Sequence, residues 1–405
     1  MAQSRNRRIG VAVLAAGLAT FALLYAPQPV LPLLSAEYHL GPAAVSYAVS
    51  AATITLALAV LPMAALSEVV GRRPMMLGSV FAAVLIGLLL PLAPDFASLI
   101  ALRAVQGVAV AGLPAVAMAY MAEEIGVSGL GAVMGLYVAG NTTGGMSGRL
   151  LAGVVGDVAD WRYGLLAVAV LAALCAVAMA VLMPSSRAQV RQPMRLGSLF
   201  AGMRGATRDS GLYGPYAVAF LGMASTVAVY NVISFRLIAE PFLLTPGIAA
   251  MVFLGYLFGG AASATAGRLA DRVGRPLVLL AALGVAVVGT LMTLPDNLFA
   301  VLPGIALLSA GFFAAHAVAS SWIGARAVPE SRAQASGVYL LAYYLGSSFG
   351  ASVGGWAYGA GGWTPVALVN CGWLALAGLV VFRGRAAGRS VRRSEPAPAS
   401  PATAR

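Results

Sequence analysis

Gly267-Arg268-Leu269-Ala270-Asp271-Arg272-Val273-Gly274-Arg275-Pro276 lies between two long apolar runs, and it has an echo in the first half of the chain, Ala64-Ala65-Leu66-Ser67-Glu68-Val69-Val70-Gly71-Arg72-Arg73. The echo is not isolated. At a nearly constant offset of just over two hundred residues, Ala36-Glu37 returns as Ala239-Glu240, Gly140 and Gly144 return as Gly346 and Gly350, and Trp161 returns as Trp363. The chain is therefore read as a duplication, each half carrying the same short polar loop among apolar segments. Parallel repeats of this kind in a membrane relate two bundles by an axis along the membrane normal and leave a path between them. A simple pore needs no such division.

Working outward from the loops, the composition decides the solvent. Of 405 residues, 60% are hydrophobic and 9% charged, against roughly half and about a quarter in a soluble domain. So few charges cannot keep an exterior wet, and disorder, collagen and a disulfide scaffold are excluded on the same figures. Each span takes about 20–25 residues. Apolar runs between charges and turn residues place spans at 9–34, 44–66, 75–93, 97–121, 129–155 and 162–183, then at 212–237, 246–267, 276–294, 297–322, 333–358 and 363–382. Lipid-exposed backbone must satisfy its own hydrogen bonds, so the runs are helices, and they lack the alternation of a barrel. The expected fold is an all-α membrane protein with twelve transmembrane helices in two pseudo-symmetric six-helix bundles, 1–183 and 212–382, joined by 184–211 and followed by a tail, 383–405. Cys175 and Cys371 fall inside apolar runs and read as buried thiols, with no metal or disulfide spacing. The run after Arg5, Arg7 and Arg8 continues to about Leu34, too long for a signal peptide's apolar region.

Arginine supplies all 25 basic residues, against 13 acids, for a net charge of +12. With both termini in the cytoplasm, the inner segments hold Arg5, Arg7, Arg8, Arg72, Arg73, the five from Arg187 to Arg208, Arg268, Arg272, Arg275, Arg326, Arg332 and those from Arg383 onward. The outer loops carry mainly Glu37, Asp95, Asp157, Asp160, Glu240 and Asp296. This positive-inside pattern accounts for the basic excess, and arginines scattered over short segments do not form a nucleic-acid surface. Within 184–211, Leu196, Leu199, Phe200 and Met203 alternate with Arg195, Arg204 and Arg208 as on an amphipathic helix lying on the membrane; a plain linker is the compatible alternative. The Pro-, Ser-, Ala- and Arg-rich tail is expected to be disordered.

The loop ending at Pro276 closely resembles the G-x-L-a-D-R-x-G-R pattern of the major facilitator superfamily, and its first-half copy departs from that pattern at Ala64, Glu68 and Val69. In the family this loop clasps the two halves on the cytoplasmic side when the carrier faces outward. The resemblance thus assigns Glu68, Gly71, Arg72, Arg73, Gly267, Asp271, Arg272, Gly274 and Arg275 to a cytoplasmic gate. The residue types suit that role: glycine permits a tight turn and close helix approach, and a carboxylate suits a helix N-terminus. Topology alone explains the arginines but neither the glycines nor the acids.

Two further segments share this resemblance. Arg103-Ala104-Val105-Gln106-Gly107 is similar to the family's R-x-x-Q-G motif, which is tied to proton transfer or cavity electrostatics; the alternative is that Arg103 reaches out to the interface. Gly140-Asn141-Thr142-Thr143-Gly144-Gly145-Met146-Ser147-Gly148-Arg149 resembles the G-P-x-x-G-G antiporter motif with Asn141 in place of proline, and its end resembles bacterial drug/arabinose-efflux-like permeases. Gly140, Gly144 and Gly148, with Gly145 beside them and Gly346 and Gly350 in the second half, form a smooth stripe for helix packing. Arg149 and Arg103 either attract an anionic solute or pair with Glu37 and Asp157. In Tyr25-Ala26-Pro27-Gln28-Pro29 the prolines free backbone carbonyls, and Tyr230-Asn231 is the repeat partner. The resemblance places the first, fourth, seventh and tenth spans around a central cavity. Its candidate substrate contacts are Tyr25, Gln28, Arg103, Gln106, Asn141, Arg149, Tyr230 and Asn231, with an interfacial aromatic as the other reading of Tyr25.

No Asp or Glu lies mid-span. His316, deep in the tenth span, is the group placed to titrate near neutral pH, so it is the leading proton-coupling candidate beside Arg103, Glu37 and Glu240. A neutral histidine hydrogen-bonded between helices is the competing reading. No G-x-x-x-x-G-K-[ST] sequence and no lysine is present. With only His39 and His316 there is neither a metal-ligand cluster nor a nucleophile–histidine pair, so no cofactor and no enzymatic activity are expected. The function expected is secondary active transport of a small organic solute by alternating access, as a monomeric multi-pass protein of the bacterial inner membrane. Proton-coupled efflux by antiport leads. The alternatives are a proton-coupled uptake symporter for a sugar, amino acid or organic anion and, from another class, a non-transporting sensor, for which no soluble domain is visible.

Overall fold

The computed structural model describes residues 2–125, 127–186, 203–327 and 332–394, which are helical apart from short connections and contain no strand. Among the described residues, ten segments are long and apolar enough to cross a membrane: α1 (Ser4–Tyr38), α2 (Pro42–Val70), α3 (Arg72–Leu92), α4 (Phe96–Glu124), α6 (Trp161–Leu182), α7 (Ser210–Ile238), α8 (Pro246–Val273), α9 (Arg275–Met292), α10 (Leu298–Arg326) and α12, whose apolar part is Trp363–Gly384. Two more, α5 (Val127–Val158) and α11 (Arg332–Gly361), are as long but rich in Gly, Ser and Thr. Their composition follows from their position, since both press small residues against a neighbouring backbone. The expected twelve spans are thus all present.

The ends differ from the expectations in one place. α12 runs on to Ser394, into the stretch expected to be a disordered tail; Arg and Ala are strong helix formers, and no proline intervenes before Pro396. Residues 395–405 lie outside the described residues. So do residues 187–202, which carry most of the expected amphipathic stretch; 203–208 are helical.

Glycine sets the tightest joints. α5 crosses α1 so closely that a Cβ at Gly140, Gly144 or Gly148 would sit 2.3 Å from Leu14 O, 2.3 Å from Leu18 O and 2.6 Å from Ala22 Cα. α11 crosses α7 in the same way: Gly346, Gly350 and Gly354 would place Cβ atoms 2.2 Å from Phe220 O, 2.1 Å from Ala224 O and 2.7 Å from Ala228 Cα. Without a hydrophobic drive in lipid, such close backbone approach is what holds helices together. The α2–α3 and α8–α9 turns are also matched, each made by a glycine at positive φ, Gly71 at 110° and Gly274 at 94°.

The two bundles meet along a seam formed by α1 and α2 with α7 and α11, and by α5 with α8. Residues 22–31 of α1 and 222–234 of α7 are buried without interruption, whereas partly exposed positions recur along the other half of each helix. The buried half leads to what is here termed the sealed end, carrying Tyr38 and Ile238. The opposite, turn end carries Gly71 and Gly274.

Candidate functional site

The helix of α1 stops at Tyr25, turns at Pro27 and continues through a single 3-10 turn, Gln28–Val30. Pro27 has no N–H, so Leu23 O loses its helical partner. Arg103 on α4 takes over: its Nη1 donates to Leu23 O at 3.1 Å, its Nη2 donates to Leu24 O, and its Nε donates to Ala48 O on α2 at 2.7 Å. Nη1 also donates to Gln106 Oε1, and Gln106 Nε2 donates to Ala83 O at 3.0 Å. Arg103 is fully buried and does not reach the interface. All these partners belong to the first bundle, so Arg103 and Gln106 fasten α1, α2, α3 and α4 to one another.

The seam is built differently. Arg149, on α5 one turn beyond Gly145, is 1% exposed. Its Nε donates to Gln28 Oε1 at 2.6 Å and its Nη1 to Gly145 O at 2.5 Å. The guanidinium carbon lies 4.5 Å from the ring centre of Tyr25 in the first half, and 4.8 and 5.3 Å from those of Tyr256 and Phe253 in the second. Cation–π contacts of this kind are strongest where water is excluded. Tyr230 stacks on Phe253 at 5.3 Å and bonds Ser309 Oγ at 2.5 Å, and Tyr25 OH bonds Ser347 Oγ at 3.1 Å. One cation is thus caged by rings from both bundles.

Neither acid considered as a partner for Arg149 is used that way. Glu37 pairs with Arg162 at 2.7 Å and accepts from Trp161 Nε1, while Asp157 accepts from Thr245 Oγ1 at 2.7 Å. Among the described residues no carboxylate pairs with Arg149.

Towards the sealed end, hydrogen bonds tie the halves. Asn231 Nδ2 donates to Ser46 Oγ at 2.7 Å, Ser348 Oγ donates to Ser50 O at 3.1 Å, and Thr245 reaches Asp157. The Tyr25–Ser347 bond joins the bundles as well. Asn231 therefore sits in the seal, and Asn141 sits at the α1–α5 crossing against Gly17. At the turn end, Arg72 pairs with Glu68 at 3.0 Å and Glu123 at 2.7 Å, and Arg73 Nε donates to Met183 O at 3.1 Å, all within the first half. Asp271 and Arg272 are exposed, and Asp271 forms no ion pair among the described residues.

His316 is partly exposed on α10. Its Nδ1 lies 2.8 Å from Tyr339 OH on α11, and Tyr343 and Phe312 flank its ring at 4.9 and 5.9 Å. Glu240 is exposed at the sealed end. The place its counterpart Glu37 takes at Trp161 is filled in the second half by Thr293, whose Oγ1 accepts from Trp363 Nε1 at 2.9 Å, while Arg236 lies 4.7 Å from the Trp363 ring and donates to Pro295 O at 3.1 Å and Asp296 at 3.0 Å. Arg236, Phe253, Tyr256 and Ser347 are not among the residues singled out from the sequence. For Arg236 the signal was available, an arginine inside a span. For Phe253 and Tyr256 it was only a three-residue spacing common to any packed helix.

Comparison with known proteins returns consistent relatives. The sequence model described as Major Facilitator Superfamily matches residues 13–237 and 215–404. The chain is 41% identical over 376 residues to the inner membrane transport protein YnfM of Escherichia coli K12, and 36% identical over 376 residues to the MFS-type transporter YybF of Bacillus subtilis 168. Each alignment covers 93% of this chain and 90% of the relative. Among solved structures, a bacterial homologue of the human lysosomal transporter Spinster, inward-facing and unoccupied, superposes with a TM-score of 0.72 at 14% identity over 98% of this chain and 99% of that one. The nucleoside transporter NupG also gives 0.72, at 12% identity over 93% and 99%. At such identities the likeness is one of fold.

Proposed function

The chain belongs to the Major Facilitator Superfamily and is a multi-pass membrane transporter, and from that premise we propose that it is a proton-coupled efflux carrier moving a small organic solute by alternating access across the bacterial inner membrane. The observation that carries the reading is the one-sided fastening of the seam. The bundles are tied by Ser46–Asn231, Ser50–Ser348 and Asp157–Thr245 towards one end, whereas at the other end, among the described residues, Asp271 forms no ion pair and Glu68 and Glu123 pair with Arg72 of their own half. A carrier that exposes its site to one side at a time needs such an asymmetry.

The positive-inside rule assigns the turn end, with both termini, to the cytoplasm, which makes this the inward-facing arrangement. In the opposite state the Glu68 and Asp271 loops are the elements that clasp. Tyr25, Gln28, Arg149 and Tyr230 face the solute where the bundles meet, and a single chain supplies both walls, so a monomer suffices. His316 carries the coupling proton, with Tyr339 as its hydrogen-bond partner; Glu37 is committed to Arg162, and Arg103 to backbone carbonyls. Export rather than uptake follows the likeness of Gly140–Arg149 to efflux permeases.

The test is proton movement in vesicles reconstituted with the purified protein while candidate solutes are added. Antiport predicts protons moving against the solute; co-movement turns the assignment to uptake. The His316→Gln variant is expected to transport without responding to a pH gradient. A full response in that variant would remove His316 from the scheme.

A further inference from the structure

We propose that the solute is an organic anion, a carboxylate carried on an apolar body, and that Arg149 recognises it. The proposal rests on the transport reading above and names its substrate class. Arg149 is a cation at 1% exposure, and among the described residues it is held by neutral groups, Gln28 Oε1, Gly145 O and the Tyr256 hydroxyl, with no carboxylate beside it. A buried charge without a counter-charge is strongly unfavourable, and in membrane segments such a group marks a solute or ion path. The rings of Tyr25, Tyr256 and Phe253 supply part of the compensation, and a planar carboxylate meeting the guanidinium fork supplies more.

Three further observations fix the class. The cage draws its walls from both bundles and lies where the continuously buried half of α1 begins; Phe21 and Met146, towards the turn end, are partly exposed. The group is thus placed where a solute entering along the seam stops. No acid lies mid-span anywhere in the chain, so a cationic solute would meet Arg149 with nothing to offset the repulsion. Finally, the repeat is broken at this position. Gly148 packs on Ala22 as Gly354 packs on Ala228, which sets Arg149 opposite Gly355, where even a Cβ would lie 2.2 Å from Ser46 Oγ. The fold does not require arginine here, because its twin position excludes any side chain.

The experiment uses purified full-length protein in lipid nanodiscs and three carboxylates, benzoate, phenylacetate and hexanoate, each beside its neutral amide and the amine of matching size. Binding is read by titration calorimetry and by thermal shift. At least one carboxylate is expected to bind roughly tenfold to a hundredfold more tightly than its amide, the span of one charged hydrogen-bonded contact, with no binding of the amine. In Arg149→Gln the preference for carboxylate over amide disappears, and in Arg149→Lys it persists at reduced size. Should Arg149→Gln fail to fold, the wild-type ratio and the lysine variant decide alone. An amide or amine binding as tightly as its carboxylate, no binding in the carboxylate series, or a preference unchanged in Arg149→Gln overturns the proposal. Carboxylate binding without movement across vesicles overturns the transport reading and leaves this assignment standing; transport of amines or amides without carboxylate preference does the reverse.

Discussion

Gly274 and Gly267 belong to one motif, but their backbones ask different things of them. Gly274 has φ at 94°, a region costly for any L side chain, and open space around its missing Cβ; Gly267 has equally open space and an ordinary helical backbone. Gly274→Ala is therefore expected to destabilise by about 1–2 kcal/mol through backbone strain alone. Gly267→Ala should be neutral or raise stability by about 0.5–1 kcal/mol, because helix-interior glycine is unfavourable. Melting temperatures of the two variants in the same detergent check the contrast, and equal effects would show that the turn geometry is not what the second glycine serves. Asp209, between the bundles, gives a pH-dependent counterpart. Partial burial by itself would raise its carboxyl, but Arg326 at 2.9 Å and the Gly211 N–H at 2.9 Å outweigh it and hold the pKa below the usual carboxylate value. A depressed folded pKa contributes stability that is present above the unfolded value and lost as pH falls through the folded one. The Asp209→Asn penalty, at most about 1 kcal/mol for so exposed a pair, is expected at pH 7 and should fade as the pH drops below about 4.

Pro27 and Arg103 are separated by most of three helices in sequence, yet they solve one problem. The proline leaves Leu23 O without its helical donor, and the arginine supplies donors from α4 to that carbonyl and to Leu24 O beside it. In Arg103→Met those carbonyls lose their partners in a dry interior, at a cost of about 1–3 kcal/mol each; Arg103→Lys, a point charge without the planar fork, cannot serve α1 and α2 together. Both variants are expected to express poorly or melt early, and a stable Arg103→Met protein with unaltered transport would refute the clamp. This arrangement shows where sequence reading stops. Long apolar runs made the helices legible, because in lipid a segment's length and apolarity nearly determine its structure. The glycine stripes of α5 and α11 were legible as smooth faces, since small residues at a four-residue spacing leave one side of a helix bare. Which backbone each stripe meets was not, and the acceptors of Arg103 are carbonyls, which carry no mark in a sequence. The same limit separated Arg103 from Arg149: both read as intramembrane cations, and only packing shows one turned into its own bundle and the other set on the seam among rings that come from α8.

The seal between the bundles rests on small polar contacts rather than on ion pairs buried in lipid, and that choice has a physical consequence. Ser46, Ser50, Asn231 and Ser348 exchange single neutral hydrogen bonds, each with a net value near 1 kcal/mol, so the set can be broken at a cost comparable to the binding energy of a modest ligand. A charged clasp at the same depth would be far harder to open and to leave unpaired. The bundles themselves are held by the glycine crossings of α1 with α5 and α7 with α11, both of which lie inside a bundle, so separation at the seam need not disturb either half. Locking the seam should therefore stop transport without unfolding the protein. Replacing Ser46 and Asn231 by cysteine, whose present side chains touch at 2.7 Å, and joining them by oxidation or a short thiol-reactive linker is expected to arrest solute movement, with activity returning on reduction and each single cysteine variant remaining active. The two native thiols, Cys175 and Cys371, are replaced by alanine beforehand so that the new pair alone reacts. If the cross-link forms in full and solute still crosses at the uncross-linked rate, the bundles do not part at this end, and the exchange of sides must occur by some route other than opening the seam.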